Sequence, residues 1–152
     1  MNKIKGVHID GITGKISVKV INEDFRILQQ VADCDCFDII RRKISNRVYT
    51  IVCDDEGRLK DKRITAINLT FTDDFLVGSL FICNESGENL ASLDENEIKE
   101  IMLSIRFNTL TNFPILLLGD NMVKRILKRI KECRHLCCFC KYHKICDISW
   151  YK

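Results

Sequence analysis

Cys133, Cys137, Cys140 and Cys146 follow one another as C-x3-C-x2-C-x5-C near the end of the 152-residue chain. Four thiolates at this spacing can enclose a tetrahedral metal, and the short C-x2-C knuckle suits zinc–sulfur bonds of about 2.3 Å. Cys138, His135 and His143 lie in the same stretch and are substitute ligands. A metal would stabilise a segment too short for a core of its own. Nearby Lys and Arg would offset the charge of the thiolates. Structural zinc is therefore the expected cofactor. An iron–sulfur cluster on the same thiolates, or free thiols packed against a helix, are the alternatives.

The same segment is basic. From Val123 to Lys152 the chain carries nine Lys and Arg against Glu132 and Asp147, a net +7. The whole chain is +3, so residues 1–122 carry −4. Lys124, Arg125, Lys128, Arg129 and Lys131 fall on a helix expected over about 121–132, and Arg134, Lys141 and Lys144 lie in the Cys-rich stretch. Clustered cations reach phosphates without reading sequence, and Phe139, Tyr142, Trp150 and Tyr151 can stack on unpaired bases. RNA or single-stranded DNA is one partner this composition fits. A solvated helix face, or docking of the +7 tail on the −4 body, fits it as well.

No nucleophile, zinc-protease, phosphate-loop or dinucleotide motif occurs. Cys133, Cys137 and Cys140 also spell C-x3-C-x2-C, the pattern of radical S-adenosylmethionine enzymes, but those need a barrel several times larger than this stretch. His8 lies in a strand-like run and reads as a core or surface residue. Asp54-Asp55-Glu56-Gly57 reads as a solvated hairpin turn, although three acids can bind a hard cation. Cys34 and Cys36 form a C-x-C pair at a strand entrance, and Cys53 and Cys83 read as small buried apolar groups. A non-enzymatic protein is expected.

These groups need a scaffold. The length suits one domain, read as a body over 1–119 and a basic, Cys-rich segment over 120–152. Apolar residues make up 46% and charged residues 30%, which excludes wholesale disorder. The start lacks the apolar stretch of an export signal. The run Phe113–Leu118 is far short of the roughly 20 residues a membrane span needs. A cytoplasmic protein without membrane contact is expected, where nine cysteines argue against disulfides.

Alternating Ile and Val on either side of Asp10-Gly11-Ile12-Thr13-Gly14 predict a hairpin over 3–9 and 15–21. Asn22 is the expected cap of a helix over about 23–32. A second hairpin, 36–43 with 48–53, turns at Ser45-Asn46. Residues 58–76 give no clear pattern. A strand is expected over 78–83 and a helix over 94–106, capped by Ser92 with Glu95 or Asp94 with Glu97. Residues 107–119 read as a loop plus an apolar strand or buried turn. The order β-β-α-β-β-β-α-α indicates an α+β fold with a mostly antiparallel sheet, two packed helices and a C-terminal Cys-rich metal knuckle.

Taken in order, Phe25-Arg26-Ile27-Leu28-Gln29-Gln30-Val31, Cys36-Phe37-Asp38-Ile39-Ile40, Val52-Cys53-Asp54-Asp55-Glu56-Gly57, Leu76-Val77-Gly78-Ser79-Leu80 and Ser92-Leu93-Asp94-Glu95 form a series. The series resembles an uncharacterised domain family of small phage and mobile-element proteins, over roughly residues 20–105. Ala32-Asp33-Cys34 stands where that family often has a Gly pair, and no Asn-Arg pair follows Gly57. The resemblance implies a protein that engages a host protein or protein–nucleic acid assembly, as an anti-CRISPR inhibitor does. A zinc-knuckle nucleic-acid-binding regulator is the first alternative. A small nucleotide-binding module or enzyme centred on the acidic body is the second.

Overall fold

In the computed structural model, residues 2–68, 71 and 73–119 are described. The expected basic helix and Cys-rich knuckle lie outside them.

The first hairpin pairs β1 (Lys3–Ile9) with β2 (Ile16–Asn22). Helix α1 (Phe25–Ala32) follows, then the second hairpin, β3 (Phe37–Ile44) and β4 (Arg47–Asp54). A 3-10 turn (Gly57–Leu59) leads to β5 (Ile64–Asn68) and β6 (Phe75–Val77). β7 (Leu80–Ser86) turns at Gly87 into β8 (Asn89–Ala91). Helix α2 (Glu95–Leu103), β9 (Ile105–Phe107) and β10 (Pro114–Leu118) complete the body. The larger sheet has the order β2-β1-β7-β4-β3, with β8 added to β7. The smaller has the order β6-β5-β10-β9, and its β5–β10 pair is parallel.

The central strands of the larger sheet, β1, β7 and β4, are covered on both faces, and the period-two pleat sorts their side chains between two cores. Leu80 and Ile82 of β7 join Val7, Ile9, Tyr49, Ile51 and Cys53 against the smaller sheet and α2. Phe81 and Cys83 turn the other way and join Ile4, Val52 and the buried face of α1, Leu28, Val31 and Ala32. The fold is α+β, as expected, with more strands than expected.

Three local expectations change. The cap of α1 is Asp24, whose carboxylate accepts from the Arg26 N–H, not Asn22. Glu23 instead accepts from the Leu90 N–H and clips β8 to the start of α1. Helix α2 keeps the Asp94–Glu97 capping box but stops at Leu103. Ile105 looks helical by spacing, yet it pairs with Leu116 in β9–β10 and is buried there. Tertiary pairing overrides the helical period. The unplaced stretch 58–76 holds β5 and the start of β6, whose ladder shifts register between Ile64 and Ala66. That shift breaks the alternation a sequence reader would use.

Gly6 crosses directly over the α1-side core. A Cβ there would stand 2.4 Å from the Ile82 carbonyl oxygen and 2.6 Å from Phe81 Cζ. The carbonyl belongs to the ladder and cannot retreat cheaply. Gly6→Ala should lower unfolding stability by about 1–3 kcal/mol through overpacking, read as a lower urea midpoint with an unchanged slope.

Candidate functional site

At the foot of α1 the α1-side core runs out. Along β4 the residues facing that side are Thr50, Val52 and Asp54, and the last is a carboxylate with 0% side-chain exposure. A buried charge must be paired and hydrogen-bonded. Lys60 Nζ lies 2.9 Å and Lys62 Nζ 2.8 Å from Asp54 Oδ2, and the Glu56 N–H donates to Oδ1 at 3.0 Å. The 3-10 turn supplies the reversal that brings Lys60 and Lys62 back to the end of β4. Lys62 also donates to the Asp33 carbonyl at 2.8 Å, joining this cluster to the end of α1. Asp33 ends the helix in the left-handed conformation, φ 51°. Such a residue is uncommon outside Gly, with Asp and Asn tolerating it best.

The cluster floors an open cleft of about 590 Å³. Arg26, Gln29 and Gln30 of α1 line one wall, and Asp33, Cys34 and Asp35 line another. Lys60 and Lys62 form the base. With Asp54 beneath, the cleft gathers three cations, three carboxylates and two side-chain amides. The surroundings set the charge states. Burial pushes the Asp54 carboxyl up, but the hydrogen bonds from Lys62, Lys60 and the Glu56 N–H outweigh it and leave the group below the ordinary range. The Asp54 carboxylate holds the Lys60 ammonium above its ordinary range. Burial, then the Asp54 charge, raise the Cys34 thiol to about 11. Cys34 is therefore a protonated thiol at neutral pH and a poor nucleophile. The arrangement suits recognition of a polar, multiply charged surface.

The reading of 54–57 as a solvated turn holds for Asp55 and Glu56, which are exposed, and fails for Asp54. Its carboxylate is spent on two ammoniums. Among the described residues no group of three or more His, Cys, Asp or Glu is placed to hold a metal. Cys53 and Cys83 are buried as expected, and burial raises both thiols to about 12. In the C-x-C pair, Cys34 is half-buried and Cys36 exposed. His8 is a core residue, its Nε2 2.9 Å from the Val31 carbonyl oxygen.

The metal set Cys133, Cys137, Cys140 and Cys146, its substitutes, and every cation from Lys124 to Lys144 named for partner binding lie outside the described residues. Sequence reading missed Lys60 and Lys62 as partners of Asp54. The available signal was Lys60-Asp61-Lys62 shortly after a buried strand ending in Asp, a pattern equally common on solvated loops.

Two antiparallel-rich sheets sharing one core, a helix across the outer face of the larger sheet and a charged cleft at its foot define a small α+β domain. By sequence the chain belongs to the family described as Domain of unknown function (DUF3846), whose model matches residues 4–106. The match takes in the first hairpin, so it starts earlier than the resemblance suggested. No curated protein and no solved structure matches the chain. No helix among the described residues is long and apolar enough to cross a membrane.

Two measurements check the buried groups. Asp54→Ala removes the carboxylate that two partly exposed ammoniums share and should cost about 1–3 kcal/mol. Adding Lys62→Met should recover part of that loss in a double-mutant cycle of urea midpoints. Burial lowers the His8 pKa from 6.5 more than the Val31 carbonyl raises it. The unfolded chain then binds the proton first as pH falls, so this contribution is complete above pH 6.5 and declines below it. His8→Gln should flatten the fall in stability between about pH 7 and pH 5.

Proposed function

We propose that the protein is a non-enzymatic binding protein of phage or mobile-element type. It engages a host defence or nucleic-acid-processing machine and inhibits or modulates it, in the manner of an anti-CRISPR protein. The observation that carries this reading is the mixed-charge cleft at the foot of α1. Asp54, Lys60 and Lys62 bind one another in fixed positions, and Arg26, Gln30 and Lys60 face solvent along the cleft. His8 is likewise committed to the fold, and Cys34, Cys53 and Cys83 are held as thiols. Fixed polar groups at an open surface favour a protein partner over turnover of a small molecule.

Copurification of the full chain from host lysate tests the reading. One host protein should be captured in stoichiometric amount and released by Arg26→Glu with Lys60→Glu. Capture that ignores this pair, or a retained small molecule with no protein, would reject it.

A second reading, a zinc-knuckle nucleic-acid-binding regulator, draws on a separate observation. The last described residue, Gly119, donates its N–H to the Lys43 carbonyl at 2.7 Å, beside Arg41, Arg42 and Arg47. Gly119, four residues before the +7 stretch opens at Val123, is thus held against a hairpin that carries Arg41, Arg42, Lys43 and Arg47. Under this reading Cys133, Cys137, Cys140 and Cys146 hold zinc, and Lys124, Arg125, Lys128 and Arg129 meet phosphates. Protein purified without chelator should contain close to one zinc per chain, and a content below about 0.2 would sink the metal assignment. Affinity for short RNA or single-stranded DNA should fall steeply with salt and drop when those four cations become Ala.

A further inference from the structure

The two edges of the larger sheet are finished differently. Along β3, register with β4 turns the backbone groups of Phe37, Ile39, Arg41 and Lys43 outward. Three of these eight outward groups are met. Asp38 Oδ1 accepts from the Ile39 N–H at 2.8 Å, Arg42 Nη1 donates to the Arg41 carbonyl at 2.9 Å, and Gly119 donates to Lys43. Charged side chains and a covering residue are the usual means of closing an edge.

On β2 the bonds Asp10 N–H to Lys15 O at 2.9 Å and Glu23 N–H to Asn2 O at 3.0 Å bracket the ladder to β1. Their parity gives Ser17, Lys19 and Ile21 the inward bonds. Ile16, Val18 and Val20 therefore turn their N–H and C=O groups outward. Among the described residues none of these groups has a partner. The side chains of Val18 and Val20 are 43% and 62% exposed. An open row of donors and acceptors beside β-branched side chains is a template for another strand.

We propose that β2 pairs with β2 of a second copy of this chain, antiparallel and centred on Val18. The sequence Ile16-Ser17-Val18-Lys19-Val20 is self-complementary in that register. Val18 faces its own equivalent, and Ile16 faces Val20 of the second copy, so the apolar stripe meets itself. These are the outward-facing residues, so each opposed pair exchanges both N–H···O bonds. Lys19 turns to the opposite face and stands opposite Ser17, with the two Lys19 side chains on a diagonal roughly 7–8 Å apart. No like charges are directly opposed. The contact is two-fold symmetric and closed, and it extends the larger sheet through both copies. Its small size makes the dimer weak and concentration-dependent. This inference goes beyond the host-binding reading and does not rest on it.

The test is the mass of the full chain by light scattering across a micromolar concentration series, under reductant. The wild type should pass from monomer to dimer. Val18→Lys and Val18→Glu should each stay monomeric, because the substituted residue opposes its own like charge, and an equal mixture of the two should dimerise again. Val18→Pro deletes an outward N–H that β1 does not use, and should also stay monomeric while keeping the wild-type circular dichroism spectrum. A wild type that is monomeric throughout, a dimer that survives Val18→Lys, or a Lys–Glu mixture that does not associate would each overturn the proposal. A monomeric wild type whose captured host protein is lost on Val18→Pro would assign the edge to that partner instead.

Discussion

Strand β7 is covered on both sides, and the rest of the body depends on that constraint. Its residues must be apolar at odd and even positions alike, and Leu80, Phe81, Ile82 and Cys83 are. One face calls for a helix and the other for a second sheet, so α1 and the strands β5, β6, β9 and β10 follow from it. The same constraint runs out at the end of β4, where α1 no longer covers the sheet. There the inward residue is Asp54, and the chain must return two lysines to it. The cleft is thus the place where a two-sided core passes into solvent.

Hairpins, both helices and the acidic cap of α2 were legible in the sequence because each rests on contacts close along the chain. Ser45-Asn46 turns β3 into β4, and Asp94 with Glu97 starts α2, both by local chemistry. Ile105 was not legible, since its spacing suits a helix while its partner Leu116 lies on another strand. Parallel pairing of β5 with β10 leaves no local mark either. The cleft failed for a related reason. An acidic Asp54-Asp55-Glu56 turn looks the same whether its first carboxylate meets water or ammonium, and burial of that single residue decides between them.

The two edges of the larger sheet show a further division of labour. Asp38 and Arg42 spend charged side chains on their own strand's backbone, which occupies two of the outward groups of β3. Among the described residues the Lys19 side chain meets none of the outward groups of β2. A sheet with one edge partly capped and the other without partners among the described residues has a direction in which it can grow, and growth stops after one addition if the added strand is its own copy.

The pairing of β10 has a consequence for how the molecule comes into being. β5 waits between β6 and β10, and its parallel partner lies some fifty residues downstream. During synthesis every strand of the larger sheet has left the ribosome by Ala91, whereas the smaller sheet lacks an inner strand until Leu118 emerges. Ala66 and Ile67 face incomplete surroundings through that interval. The family match ends at residue 106, short of β10. A fragment cut at that boundary would therefore be arrested at the same half-built stage, with the core between the sheets open to solvent.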